Sequence, residues 1–338
     1  MTERSSRKYI LIVGVLLVAG VFLSFFLGKF SLGPKEVMGI LTSPITGGET
    51  FWTSQQEQVF WAIRLPRILL ACLVGCALAS AGCVYQAVFE NPMAAPDFLG
   101  ASSGAAFGAA LAIIMGGSGV KITAMAFVFS MATILLVYAV GSRAPGNKTV
   151  GLVLAGLMIS SIAQAGTSFI KLVADQTNEL PAITYWLMGS FARSGNDANV
   201  WTMALALLVG GGVLLAVRWR INVMSFGDDE ARAMGVNVNA TRAVVIAAAT
   251  LLTSITVCMC GSVGWVGLII PHITRLVTGP NYRSLIPISM LGGACFMVVV
   301  DDIARIAVPG ELPISVLTAL IGAPLFLFLL ARGRKEWL

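Results

Sequence analysis

Arg64 and Arg67 enclose Leu65-Pro66 immediately before an apolar run that opens at Ile68. A guanidinium is a permanent cation with five donors, shaped to grip carboxylates. Pro66 suits the first turn of a helix, which puts both arginines at a helix mouth. There they either anchor the helix to headgroups by snorkelling or offer a docking surface to an acidic partner. Arg305 follows Asp301 and Asp302. Its simplest role is an intrahelical pair at i to i+4, and an unpaired Arg305 would extend the same basic patch. Hydrolytic chemistry is poorly supplied. The single histidine, His272, excludes a His-rich metal site, and the sixteen carboxylates are dispersed along the chain. No nucleophile stands with a base in a motif, so no catalytic residue and no metal ligand set is expected. The six cysteines, Cys72, Cys76, Cys83, Cys258, Cys260 and Cys295, all fall in apolar stretches, where Cys acts as a small hydrophobe and implies no disulfide framework.

Three further segments have polar or conformational character. From Gly141 to Thr149 the chain nearly spells a phosphate-binding loop, but Asn147 separates Gly146 from Lys148, no strand precedes it and no nucleotide-binding domain fits around it. It reads as a turn, and any ATP must be hydrolysed by a partner. Asn91-Pro92-Met93-Ala94-Ala95-Pro96 is stiff and almost uncharged, either a tight turn or a constriction beneath a pathway. Between Met224 and Asn237 lie Gly227, Asp228, Asp229, Glu230, Ala231, Arg232, Met234 and Gly235, a short mixed-charge helix with glycines at its ends. It is either a solvated loop or a docking helix for a cytosolic partner.

The elements that must carry these residues follow from composition. Of 338 residues, 57% are apolar and 11% charged, against about 25% charged in soluble domains, and the class is a polytopic membrane protein in contact with lipid. The net charge of +6 is an orientation signal, not a nucleic-acid footprint. Apolar runs near the length a bilayer needs fall at about ten places. They lie near 9–27, 68–89, 98–115, 122–141, 150–173, 200–217, 243–260, 262–278, 285–300 and 314–331. The first, preceded by Arg4, Arg7 and Lys8, has no small-residue cleavage site after it and reads as a retained helix. With the N-terminus in the cytosol, alternation leaves fourteen Lys and Arg inside and eight outside, as the positive-inside rule requires. Both termini are therefore expected in the cytosol. Gly100, Gly104 and Gly108 form a smooth ridge for close helix approach. The two long polar loops, 29–61 and 218–242, are too short to be separate domains, so residues 1–338 form one membrane domain.

Taken in order, these motifs resemble the permease family of type II ABC importers for iron chelates and vitamin B12, the FecCD type. The resemblance spans nearly the whole chain. It rests on Arg64-Leu65-Pro66-Arg67, Gly82 and Gln86 before Asn91-Pro92, Leu99-Gly100 with Gly104-Ala105, and Trp186-Leu187-Met188-Gly189-Ser190. The 227–235 loop, Gly267 to Arg275, Asp302 to Arg305, Glu311-Leu312-Pro313 and Gly322-Ala323-Pro324 complete it. Met93 and Ser315 depart mildly, standing where relatives often have Leu and Gly.

The resemblance implies an all-α fold of about ten transmembrane helices and a second permease copy, identical or a sister chain, enclosing a pathway at the two-fold interface. Two ATP-binding subunits would sit beneath, holding the ATP and magnesium, so this chain itself needs no cofactor. A periplasmic or lipid-anchored substrate-binding protein would dock outside, with glutamates on its two lobes meeting Arg64, Arg67 and Arg305. Gly227, Asp228, Glu230, Ala231, Met234 and Gly235 would couple to the ATPase, and Asn91, Met93 and Thr149 would lie near the cytosolic gate. The location implied is a bacterial or archaeal cytoplasmic membrane. The implied cargo is an iron chelate, siderophore or haem, with vitamin B12 or molybdate as alternatives. His272, an ionisable group inside a span, is a proton-relay candidate by position, although the family places it in a structural motif. An ion-coupled secondary transporter is the competing class.

Overall fold

The computed structural model describes residues 3–47, 50–144, 148–193 and 197–332, with side chains described over 6–43, 47, 50–144, 150–193 and 197–329. Thirteen helices account for most of these residues, and no strand occurs among them. They are α1 (Glu3–Ser24), α2 (Pro34–Thr46), α3 (Ser54–Val88), α4 (Ala101–Ile114), α5 (Gly119–Gly141), α6 (Lys148–Val173) and α7 (Glu179–Met188). After these come α8 (Asp197–Met224), α9 (Asp228–Ala233), α10 (Val238–Cys260), α11 (Val266–Thr278), α12 (Tyr282–Ile306) and α13 (Ile314–Arg332). Each of the ten expected apolar runs falls on a helix. Seven helices are long and apolar enough to cross a membrane, and α4, α11 and α13 are shorter apolar helices.

The main departure from expectation is at α3. The sequence puts the Arg-Leu-Pro-Arg motif at the mouth of a helix, yet the helix begins ten residues before Arg64 and carries both arginines inside it. Its start is fixed by a capping box: the Gln56 amide donates to Thr53 Oγ1 (3.2 Å) and the Thr53 amide to Gln56 Oε1 (2.8 Å). Inside an α-helix Pro66 lacks an amide hydrogen and presses on the carbonyl four residues back. The chain accommodates it by widening into a π-helical stretch, Val59–Arg64, directly before the motif. Helix α8 carries a similar stretch at Leu207–Gly211.

The long central helices α3, α10 and α12 are the most enclosed, whereas α1, α5 and α6 lie at the periphery. Without a hydrophobic drive inside lipid, such helices associate by close backbone approach. A Cβ on Gly75 would overlap the Gly293 carbonyl of α12, and one on Gly82 would overlap the Gly267 carbonyl of α11. The Gly104 and Gly108 ridge of α4 meets α5 in the same way, at Phe129, Thr133 and Met125. Tyr85 at the core reaches across to α10, its hydroxyl 2.9 Å from Thr250 Oγ1. Helix α1 packs along α12.

Candidate functional site

At one end of the bundle the three arginines converge. Arg64 donates to the Phe25 and Phe30 carbonyls, clasping the turn after α1. Arg67 donates through Nε and Nη2 to Asp301 Oδ1 (2.8 and 2.7 Å) and through Nη1 to Glu311. Arg305 lies 3.2 Å from Asp301 Oδ2, the i to i+4 pair expected from spacing, and also donates to Asp302 and to Ser24 Oγ. Glu311 accepts in turn from Ser190 Oγ (3.1 Å), and the loop before α13 is held from the other side by Lys29 on the Pro309 and Gly310 carbonyls. Arg64, Arg67 and Arg305 are only 3%, 6% and 7% exposed. Buried charges persist only when paired or hydrogen-bonded: Arg67 and Arg305 share Asp301, Asp302 and Glu311, whereas Arg64 is held by backbone carbonyls alone. Together they fasten α1, α3, α12 and the loop after α12 into one rim. They also line a cavity of about 210 Å³ with Gly28, Val59 and Ile63.

At the opposite end, α9 forms between two glycines in positive-φ conformations, Gly227 (φ 117°) and Gly235 (φ 79°). Asp228, Asp229 and Glu230 occupy its first turn, where the helix dipole favours anions. Ala231 is fully buried against Val223, Met224, Val236 and Val238, so the helix is seated on its flanks. The Arg242 guanidinium of α10 holds Asp228 at 3.0 Å. Met234 projects outward, and so does Phe226, which sequence reasoning passed over. Its signal was an aromatic next to a run of acids, a composition that wastes an aromatic unless something covers it.

Nearby, Asn91 and Met93 sit in the bend after α3, where the Met93 amide donates to Asn91 Oδ1 (2.8 Å) and the Met93 side chain is exposed. Gln86, one turn earlier, donates to the Leu268 carbonyl (3.2 Å) and accepts from Arg275 (2.9 Å), tying α3 to α11. Thr149 lies outside the residues whose side chains are described. His272 packs edge to face against Phe326 of α13, with ring centroids 6.0 Å apart.

The sequence named no pathway residues, and α6 supplies a set. Ser161, Gln164 and Ser168 are exposed at three- and four-residue spacing and form one stripe, while Met158, Ile162 and Phe169 form an apolar stripe beside it. Gln164 Nε2 reaches Ser103 Oγ of α4 (3.2 Å), which widens the polar surface. A polar stripe on a membrane-crossing helix is costly against lipid and belongs beside water or protein. The signal was present in the sequence, but separating the two stripes requires knowing which face the bundle leaves open.

Comparison with known proteins matches this architecture. Residues 16–332 fit the model of the FecCD transport family. The molybdate import system permease protein MolB of Haemophilus influenzae is 39% identical over 96% of both chains. The cobalamin import system permease protein BtuC of Halobacterium salinarum is 41% identical over 81% of this chain and 73% of its own. The hemin transport system permease protein HmuU of Yersinia pestis is 34% identical over 93% of this chain and 96% of its own. Among solved structures, an inward-facing metal-chelate type ABC transporter superposes with a TM-score of 0.86 at 37% identity, covering 96% of this chain and 99% of that one. This helical bundle is thus a multi-pass ABC importer permease, and the chain belongs to the FecCD transport family.

Proposed function

We propose that this chain carries an iron chelate, siderophore or haem, across the cytoplasmic membrane by alternating access, paired with a second permease copy and driven by two separate ATP-binding subunits. The observation that carries the transport reading is the stripe Ser161, Gln164 and Ser168. Two copies facing each other through α6 would enclose a polar route between apolar outer surfaces. The α9 region, with Gly227, Asp228, Glu230, Ala231, Met234 and Gly235, is the coupling element, and Phe226 joins Met234 as an apolar contact for the ATPase. Asn91, Met93 and Thr149 form the inner gate. Both termini face the cytosol, with the arginine rim outside.

Arg64, Arg67 and Arg305 define the external docking rim, where a substrate-binding protein's acidic groups would approach through the small cavity and share guanidinium donors now held by Asp301, Asp302, Glu311 and the Phe25 and Phe30 carbonyls. Support for this comes from the convergence of all three arginines on one rim. Molybdate is the second reading, favoured by the 39% identity to a molybdate permease over 96% of the chain. Reconstitution with ATPase and binding protein, with uptake of iron-siderophore, haem, cobalamin and molybdate compared, tests both readings. ATP-dependent uptake of an iron chelate, lost when either partner is omitted, is expected. Selective molybdate uptake would transfer the assignment, and uptake by this chain alone on an ion gradient would overturn the importer mechanism.

A further inference from the structure

A second opening in the bundle is unrelated to the rim or the polar stripe. It is a groove of about 630 Å³ between the first turns of α5, the start of α8 and the last turns of α10, with Trp186 of α7 at its back. Val120, Phe127 and Ile255 supply its apolar bulk, and Val120 is 82% exposed. Its polar groups are mostly committed: Thr123 Oγ1 donates to the Gly119 carbonyl (3.0 Å) and Thr202 Oγ1 to the Ala198 carbonyl (2.8 Å). Among the described residues, Arg193 is the only charged side chain in the lining, and no carboxylate lines the groove. Arg193 donates one bond to the Trp186 carbonyl (3.2 Å) and lies 5.9 Å over the Trp186 ring. Among the described residues no carboxylate pairs with it, in contrast to Arg67 and Arg305 of the rim.

The groove's level in the membrane follows from its neighbours. The Ser190 amide donates to the Cys260 carbonyl at the end of α10 (2.8 Å), and Ser190 also reaches Glu311 of the arginine rim, so both features lie at the same end of the bundle. Trp201, 74% exposed on the first turns of α8, stands where an interfacial aromatic belt is expected. The groove is therefore apolar toward the membrane interior and cationic at headgroup height.

We propose that the groove holds one anionic phospholipid, its phosphate on Arg193 and one acyl chain along Val120, Phe127 and Ile255. Charge complementarity selects the headgroup, and the apolar lining selects a lipid over a soluble anion. The lipid would wedge α5 against α8 and α10 at the outer leaflet.

The test is native mass spectrometry of the full chain, delipidated in detergent and titrated separately with phosphatidylglycerol, phosphatidylcholine and inorganic phosphate. One phosphatidylglycerol is expected to stay bound at energies that strip phosphatidylcholine, with no matching phosphate adduct. Arg193→Gln should weaken that adduct about fivefold, the share of one basic side chain near a headgroup, whereas Arg193→Lys largely keeps it. Ala124→Phe should block it by filling the groove. Equal retention of the two lipids, an unchanged lipid preference in Arg193→Gln, or phosphate bound as well as phosphatidylglycerol would overturn the proposal. So would a protein segment or second copy found in the groove by cross-linking from position 124. Unchanged thermal unfolding of the lipid-free variants shows that the loss is one of binding and not of folding, and none of these readouts depends on which substrate is transported.

Discussion

Asp301 is 1% exposed and has two cationic neighbours, Arg67 from α3 and Arg305 from its own helix. Removing one partner of a buried pair strands a desolvated charge, which typically costs about 3–5 kcal/mol. Arg67→Met leaves Asp301 with Arg305 alone and takes the guanidinium from Glu311. Thermal stability in detergent should therefore fall, by less than the loss of a sole partner would cost, and adding Asp301→Asn should restore part of the loss. A merely additive double variant would show that the pair is not coupled. Sequence spacing made the Asp301–Arg305 contact legible because both lie on one helical face four residues apart. It could not reveal the Arg67–Asp301 contact, which joins residues 234 positions apart through the packing of α3 on α12. For the same reason the arginines look like surface groups in the sequence and are buried in the structure.

Helix contacts make separate predictions. Gly82 has the Gly267 backbone where a side chain would go, so Gly82→Ala forces α3 and α11 apart at a cost of about 1–3 kcal/mol. Gly14 on peripheral α1 has nothing within 4 Å of its would-be Cβ, and Gly14→Ala should be neutral within about 0.5 kcal/mol. Unfolding midpoints of both variants in one detergent check the contrast. At α9 the Arg242–Asp228 bridge is partly solvated, so Arg242→Ala should cost no more than about 1 kcal/mol of stability. Substrate-stimulated ATP hydrolysis in the assembled transporter should nevertheless fall if α9 couples to the ATPase as proposed, because α9 loses its tether to α10. Unaltered stimulation would remove that role. The glycines could be read as a packing ridge from their four-residue spacing, but which partner helix each ridge meets depends on contacts distant in sequence.

For the whole molecule, the polar stripe of α6 is the feature on which the proposed transport route rests. Gln164→Leu should leave assembly and stability intact while lowering ATP-driven uptake, since an exposed apolar side chain is tolerated by lipid but not by a hydrated route. Uptake assays beside gel filtration of the assembled complex separate the two effects. Unchanged uptake would place the pathway elsewhere. Orientation has its own check: a cysteine introduced near either terminus should resist a membrane-impermeant thiol reagent added outside intact cells.

Composition and hydropathy alone determined that this chain lives in a bilayer, because burying so many apolar residues with so few charges has no solution in water. Helix positions followed, since in lipid a backbone must satisfy its own hydrogen bonds, so nearly every sufficiently long apolar run becomes a helix. Local chemistry also marked the ends of α9 and the stiff bend at Asn91-Pro92. Only the tertiary structure decided that Arg64, Arg67 and Arg305 share one rim with buried acids, that α6 turns a polar stripe to the outside, and that Arg193 stands at the mouth of an apolar groove. Each of these depends on which faces of distant helices meet, and that is set by glycine-to-backbone packing and paired charges, not by any local run of residues.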